Sequence, residues 1–447
     1  MYAKLFIGLS LVACSLAGAQ VADSNQDGIQ LSQFTVLPAP KTSGLVLKRG
    51  DRLAICGDSI TEQKRYSRLL EDYLTVCVPE LNVTVRQFGW SGEVTPEFLA
   101  RMTNDCLRFK PTIATTCYGM NDHCYRPYEP SIGDRYRKYT TAIVESFKAH
   151  EVRVILGSSG CIGKVPFWAK DTNDTPQVLN LNLCELRNID VGIARAEKIG
   201  FADVFWPMLT AGVTARREYG ANYGIAGRDG VHPFWAGHVV MAYAFLKALG
   251  LDGEIGTLTL DLATGKMEAT AGHEVLSAHD GVCEIRSSRY PFCACVPAAS
   301  SVESYPTYGG DDLASDDSIR SGETLVPFNE DLNQFKLVAK HGKASNYKVS
   351  WGTESKTFTS DQLAQGINLA AEYPENPFSA AFAKVDAAVI AKQVYETKQI
   401  KELFRSPEAK TNLEAVVKRT ERDRAALVAL VKSSFVPVTH ILAVSPE

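Results

Sequence analysis

From Leu45 to Leu251, apolar runs of strand length alternate with longer stretches of helical periodicity. That alternation restricts the segment to an α/β fold on a parallel sheet, because each crossover between parallel strands needs a helix-sized connection. Strands are expected at 52–56, 82–88, 112–117, 153–157 and, more weakly, 201–205. Helices are expected at 65–76, 96–108, 132–149, 183–198 and 233–249. The expected architecture is a three-layer α/β/α sandwich with about five parallel strands.

At 447 residues the chain exceeds one ordinary core, so further units are required. After Gly250 the texture becomes β-like, with short segments at 257–262, 283–286, 335–339, 347–351 and 356–359 among Gly, Asp and Ser turns. Residues 299–325 are polar and acidic and read as a long loop. Two amphipathic helices follow at 377–404 and 407–435, and 436–444 reads as a strand able to return to the β-rich module. The expected division is a signal segment at 1–19, a Pro-containing linker at 20–44, an α/β domain at 45–250, a β-rich accessory module at 251–376, and a helical hairpin with a terminal strand at 377–447.

Composition narrows the function classes. Apolar residues at 45% and charged residues at 22% are the balance of a soluble globular protein. A net charge of -4 without a Lys/Arg run supplies no field to gather nucleic acid, so no nucleic-acid partner is expected. At the N-terminus, Lys4, the apolar stretch 5–16 and Ala17-Gly18-Ala19 read as a cleavable signal peptide, which predicts a secreted or periplasmic protein. The alternative is a membrane-anchored lipoprotein, since Leu11-Val12-Ala13-Cys14 resembles a lipobox and would place a lipid anchor on Cys14. No later run has the roughly 18 to 20 apolar residues of a transmembrane segment.

Eleven cysteines in an exported chain predict some disulfides, with Cys56 a buried free thiol in the apolar run before residue 57. Cys117, His123 and Cys124 lack the spacing of a metal site, and neither a metal nor a cofactor is expected.

The chemistry concentrates in four loops. The run Leu53 to Cys56 enters Gly57-Asp58-Ser59, a turn that lifts a serine to the carboxyl edge of a sheet, where open α/β folds bind ligands. A serine hydroxyl is a poor nucleophile without an adjacent base. Asp229-Gly230-Val231-His232-Pro233 offers one, with the carboxylate spaced to accept the Nδ1 proton so that Nε2 faces Ser59. Gly92, in Gly89-Trp90-Ser91-Gly92-Glu93, can bring a backbone N–H to a substrate oxygen, and Asn121, in Gly119-Met120-Asn121-Asp122, can add a side-chain donor. Taken singly, each is as easily an ordinary β–α loop or helix cap.

In this order, Gly57-Asp58-Ser59, Gly92, Gly119-Met120-Asn121-Asp122 and Asp229-Gly230-Val231-His232-Pro233, the chain resembles the SGNH (GDSL) hydrolase superfamily over roughly residues 45–250. The resemblance implies Ser59 as nucleophile, His232 as general base and Asp229 as its orienter, with Ser59, Gly92 and Asn121 as the oxyanion hole. It implies a serine esterase without a cofactor, whose activity falls below roughly pH 6 to 7 as the imidazole protonates. An exported enzyme with an added β module is similar to polysaccharide deacetylases, so the expected reaction removes O-acetyl groups from a polysaccharide or oligosaccharide through an acyl-enzyme on Ser59. Alternatives are a lysophospholipase- or thioesterase-type lipid-ester hydrolase, and a noncatalytic glycan-binding surface protein. Trp90, Tyr118, Tyr125, Tyr128, Trp168 and Trp235 lie in or near these loops as candidates to stack on sugar rings.

Overall fold

A computed structural model describes residues 28–170, 174–294 and 312–447. Its N-terminal half is built on five parallel strands: β1 (Arg52–Gly57), β2 (Thr84–Gln87), β3 (Ile113–Cys117), β4 (Arg153–Gly157) and β5 (Gly200–Ala202). Their spatial order is β2-β1-β3-β4-β5, with Leu53 facing Val85 on one side and Ile113 on the other. The chain passes from β1 to β2 on one side and from β2 back across to β3 on the other, and this reversal opens a crevice beyond the carboxyl ends of the strands.

Helices α1 (Ser59–Glu62), α2 (Tyr66–Val76), α3 (Thr95–Asp105), α4 (Pro130–Ala149), α5 (Pro176–Glu197), α6 (Phe205–Tyr219) and α7 (Trp235–Ala248) complete this half. Side chains of a strand point alternately to its two faces. Leu53 and Ile55 therefore pack with Leu70 and Tyr73 of α2 and Val240 and Phe245 of α7, while Ala54 and Cys56 pack with Phe98 and Met102 of α3 and Phe147 of α4. Both faces are covered, as the α/β/α expectation requires.

Two elements depart from the sequence reading. The fifth strand stops at Ala202, and Phe205 opens α6, a helix the apolar pattern of 201–205 concealed. The Ser158 hydroxyl accepts the amides of Val204 and Phe205, both at 3.0 Å, and so satisfies donors that a continuing strand would have paired. Helix α5 begins at Pro176 rather than 183, with Thr175 as its cap accepting the Val178 amide. Residues 28–44, read as part of a linker, lie along α5 and α6: Ile29 and Phe34 are buried, and the Phe34 ring sits 5.9 Å from that of Trp206.

Beyond α7 come β6 (Glu254–Asp261), β7 (Met267–Ala269), β8 (His273–His279), β9 (Val282–Ser287), β10 (Gln334–Lys340), β11 (Asn346–Trp351), β12 (Glu354–Thr359), β13 (Ile367–Asn368) and β14 (Val438–Pro446). They form two sheets, ordered β13-β10-β6-β7 and β12-β11-β14-β9-β8. The terminal strand does return, and it takes the centre of the second sheet between β11 and β9. Phe335, Trp351, Phe378 and His440 pack ring on ring between the sheets. Within the stretch 299–325, read as a long loop, residues 299–311 lie outside the described residues, but α8 (Ile319–Leu325) is a helix capped by Ser318. A Cβ at Gly322 would meet Val239 Cβ at 2.6 Å, so α8 lies directly on α7.

Helices α9 (Ser379–Lys401) and α10 (Pro407–Ser434, broken at Asn412) form the expected hairpin. Phe378, Phe382 and Val385 are buried as their stripe requires. The hairpin closes the open edge of the five-stranded sheet: Lys392 Nζ donates to the Val85 carbonyl at 2.8 Å, and Glu396 Oε2 accepts the Gln87 amide at 3.0 Å. An edge strand otherwise leaves such groups unpaired.

Among the described residues the disulfide expectation is not met at Cys56, Cys77, Cys106, Cys117, Cys124, Cys161, Cys184 and Cys283, which are free thiols, all but Cys124 buried. Cys56 is one of them, with its sulfur 4.0 Å from that of Cys106. Cys14 and Cys295 lie outside the described residues, as does the expected signal segment 1–19. Among the described residues no helix is long and apolar enough to cross a membrane.

Candidate active site

The sharp turn after β1 rests on the absence of a side chain at residue 57. A Cβ on Gly57 would lie 2.1 Å from Thr61 Oγ1 and 2.9 Å from the Cys117 carbonyl, so the strand approaches its neighbours only as glycine. Asp58 then caps α1, its Oδ1 accepting the Ile60 amide at 3.0 Å. Ser59 follows as the first residue of that helix, partly exposed at the carboxyl edge of the sheet. Asp58 is buried, and burial, with Asp122 and Glu93 nearby, pushes its carboxyl up to about 7.

The loop before α7 brings the other two residues to the same place. Ser59 Oγ lies 2.7 Å from His232 Nε2, and His232 Nδ1 lies 2.7 Å from Asp229 Oδ2. The other Asp229 oxygen accepts the amides of Val231 and His232, both at 2.9 Å. Burial pushes the Asp229 carboxyl up, but those two amides and the His232 ring outweigh it and hold the group below its ordinary value. Gly230 is required here on two counts: its φ is +84°, and a Cβ would meet the Lys164 carbonyl at 2.3 Å. Asp229, His232 and Ser59 thus form one hydrogen-bonded chain, with the His232 and Asp229 side chains 24% and 32% exposed.

The loops after β2 and β3 approach from the other side of β1. Gly92 is exposed at φ +77°, a conformation most residues avoid. Asn121 Nδ2 donates to the Glu93 carbonyl at 3.1 Å, and Asn121 Oδ1 accepts the Tyr125 hydroxyl at 3.1 Å. An amide NH2 carries two hydrogens, so this fixes the Asn121 side chain and leaves it a second donor.

Sequence reasoning missed the groups that tie these loops together. Asp122 Oδ1 accepts both the amide and the hydroxyl of Thr95, at 3.0 and 2.7 Å, while Oδ2 accepts the Gly119 amide. Glu93 is buried against Arg101 and accepts the Tyr118 hydroxyl at 2.7 Å. Both acids sit inside the quoted motifs, but nothing local shows which partners they take. Cys117 Sγ donates to the Ser158 carbonyl, and the buried His123 ring packs 4.5 Å from Tyr125.

The six candidate aromatics divide by burial. Tyr118 and Trp235 are core residues, 3% and 1% exposed. Trp90 is half-buried against the Arg101 guanidinium, 5.0 Å from its ring centre. Trp168 borders the candidate base, its ring centre 6.0 Å from that of His232, and Tyr125 meets Trp168 edge-on at 5.8 Å. Tyr128 is exposed further along the same loop. Phe167, unremarked in the sequence, extends this wall edge-on to Trp168 at 4.9 Å and is 91% exposed.

Comparison with known proteins places these loops in a wider context. Residues 55–240 match the model of the GDSL-like lipase/acylhydrolase family. An acetylxylan esterase of Geobacillus stearothermophilus is 24% identical over 225 residues, which span 45% of this chain and 95% of that protein. Its solved structure covers 46% of this chain and 97% of its own, at 22% identity and a TM-score of 0.38. A gut microbial diltiazem-metabolizing enzyme superposes at a TM-score of 0.70 and 19% identity, over 91% of this chain and all of that one. The fold therefore recurs over nearly the whole length, C-terminal sheets and hairpin included.

Proposed function

Since residues 55–240 belong to the GDSL-like lipase/acylhydrolase family and the chain is a carboxylic ester hydrolase, we propose that Ser59 is its nucleophile, His232 the general base and Asp229 the group that orients and charges the base. One observation carries this reading: the unbroken chain from Asp229 Oδ2 through the His232 ring to Ser59 Oγ, with 2.7 Å at each hydrogen bond.

Ser59 Oγ attacks the ester carbonyl as His232 Nε2 takes its proton, a contribution of roughly 10²- to 10⁴-fold. Asp229 stabilises the imidazolium and keeps Nδ1 protonated. The tetrahedral oxyanion is received by the N–H of Ser59, the N–H of Gly92 and the free Nδ2 hydrogen of Asn121, each such donor contributing roughly 10²- to 10³-fold. His232 returns the proton to the leaving alcohol; it then takes a proton from water as the water oxygen attacks the acyl carbonyl, and gives it to Ser59 Oγ as that C–O bond breaks and the carboxylic acid leaves. Ser59, His232 and water supply every proton and electron pair of this cycle.

The substrate in this reading is an O-acetylated polysaccharide or oligosaccharide. The partly exposed Ser59, His232 and Asp229 suit a short acyl group on a bulky polar alcohol better than a long acyl chain, which needs an enclosed apolar channel. The wall of Tyr125, Trp168 and Phe167 offers ring faces and edges beside His232 for a sugar to pack on. A noncatalytic role is disfavoured by the same geometry, because Ser59 lies 2.7 Å from His232 and is partly exposed. In this reading residues 45–250 carry the chemistry, 251–376 and 377–447 serve it from outside, and export through segment 1–19, free or anchored at Cys14, brings the enzyme to extracellular glycans.

The test is acetate release from acetylated xylan, other acetylated glycans and p-nitrophenyl acetate, comparing wild type with Ser59→Ala. Glycan deacetylation lost in the variant supports both mechanism and substrate. Turnover of p-nitrophenyl acetate alone removes the glycan, and activity unchanged in the variant removes the nucleophile.

A further inference from the structure

The exposed oxyanion loop has few local supports. Gly92 sits at φ +77°, and a Cβ built on it would meet nothing within 4 Å. Its N–H direction is therefore set by the residues on either side. On one side Glu93 is held by Arg101 and Tyr118. On the other, the Ser91 amide donates to Glu62 Oε2. Glu62 closes α1, the four-residue helix that Ser59 opens, so it lies one turn from the nucleophile. The backbone supports the same join: the Trp90 amide donates to the Gly57 carbonyl at 3.0 Å, and a Cβ on Gly89 would lie 2.3 Å from the Glu62 nitrogen.

Glu62 is not placed by its own segment alone. Lys401 Nζ, at the C-terminal end of α9, sits 2.7 Å from Glu62 Oε1 and 2.8 Å from Oε2. The pair is sheltered, with side chains 19% exposed for Glu62 and 26% for Lys401. The ammonium of Lys401 lies 5.3 Å from the Trp90 ring centre and the Arg405 guanidinium 5.0 Å from it, so two C-terminal cations join Arg101 on the residue just before Ser91. Lys401 in turn hangs on a fixed element. α9 is fastened to the N-terminal half by the buried Arg68–Asp386 pair, by Gln393 on Ser67 and Glu71, and by Thr397 on Gln87, whose amide donates to the Thr61 carbonyl.

We propose that Lys401 is a positioning residue for ester hydrolysis: through Glu62 it locks the Ser91 backbone and so aims the Gly92 N–H at the oxyanion formed on Ser59. The inference rests on the assignment of Ser59 and Gly92 above. It gives the C-terminal hairpin a part in the chemistry through a contact separated by 339 positions in the chain. A donor serves the transition state only where it is held in advance, and a displacement of about 1 Å costs on the order of 10²-fold.

The test compares Lys401→Met, Glu62→Met, their double variant and Lys401→Arg with wild type and Ser59→Ala, reading kcat and KM for p-nitrophenyl acetate and the thermal midpoint of each. The expected result is a fall in kcat of about tenfold or more for Lys401→Met and Glu62→Met, with KM within about twofold. The double variant loses no more than the worse single variant, Lys401→Arg recovers most of the loss, and the thermal midpoints stay within a few degrees of wild type. If Lys401→Met keeps wild-type kcat while Ser59→Ala is inactive, the relay is overturned and the site stands. Losses that multiply in the double variant, or that follow loss of folded protein in every variant, overturn it too. Activity retained by Ser59→Ala overturns the underlying reading of the site, and the relay with it.

Discussion

Glu396→Gln should loosen the C-terminal hairpin from the sheet edge at almost no change in volume. Glu396 is fully buried, and one of its oxygens faces Lys392 Nζ at 2.8 Å and Arg424 Nε at 2.7 Å. The other accepts the Gln87 amide of β2. Glutamine removes the charge that both cations face and turns an NH2 toward either the cations or the Gln87 amide. Breaking a buried ion pair from one side costs about 3 to 5 kcal/mol, and a buried donor left unpaired about 1 to 3 kcal/mol. A loss of about 3 kcal/mol in docking raises the open fraction by about 10²-fold. Hydrogen exchange read by mass spectrometry on peptides spanning 84–88 and 385–400 should show both exchanging faster by about that factor, with the β14 sheet unchanged. Esterase activity should fail at a lower urea concentration than the loss of total helix signal, because Lys401 leaves with α9. Unchanged protection at 84–88 in a folded variant would refute the claim that this carboxylate holds the edge. Acid should produce the same opening. Burial pushes the Glu396 carboxyl up, but Lys392, Arg424 and Arg86 outweigh it and hold it well below its ordinary 4.5. Its contribution is therefore present above the ordinary carboxylate range and lost only as pH falls through the depressed value.

Other expectations concern the loops themselves. Asp58, with its carboxyl pushed up to about 7, binds a proton in the folded state that the unfolded chain releases near 3.8, so its contribution is complete at acid pH and lost as pH rises through about 7. Asp58→Asn, which keeps an acceptor for Ile60, should match wild type near pH 4 and exceed it at pH 8 by up to roughly 4 kcal/mol in urea unfolding; a pH-independent difference would contradict the buried charge. Gly230→Ala forces a Cβ into the Lys164 carbonyl at a positive φ, so it should lower kcat by about tenfold or more by displacing Asp229 and His232, read against p-nitrophenyl acetate. Phe167→Ala should leave p-nitrophenyl acetate turnover intact and lower kcat/KM on acetylated oligosaccharides by about three- to tenfold, the worth of one aromatic contact. Equal effects on the two substrates would remove Phe167 from the glycan surface.

What could be read from the chain followed how local each signal was. β1, β3 and β4 are short buried runs with few charges, legible close to their observed ends, while β2 keeps only Val85 as an apolar residue and takes its polar Arg86 and Gln87 to the hairpin. The Asp229–His232 spacing is three residues within one loop, and the hydrogen bond between them follows from it. The 201–205 segment misled because its apolar residues serve a strand and a helix start in succession, and the choice is made by Ser158 from a distant loop. α8 was hidden in polar sequence, where Ile319, Ser321 and Gly322 are its buried residues and Gly322 lies against α7. Disulfides were expected from the count and context of the cysteines, yet eight of the nine described cysteines are buried. Glu396 and Lys401 look like any charged helix residues; only the folded chain shows that they face β2 and Glu62. The central place of β14 was equally hidden, since its pairing with β9 and β11 is set by partners far along the chain.

Covalent capture separates Ser59 from every other serine of the chain. A small p-nitrophenyl alkylphosphonate phosphonylates an activated serine with release of nitrophenolate, and the adduct is located by peptide mass spectrometry. One adduct per chain is expected, on Ser59, formed with loss of esterase activity and greatly slowed in His232→Ala. An adduct on another serine, or inactivation that leaves Ser59 unmodified, would contradict Ser59 as the nucleophile.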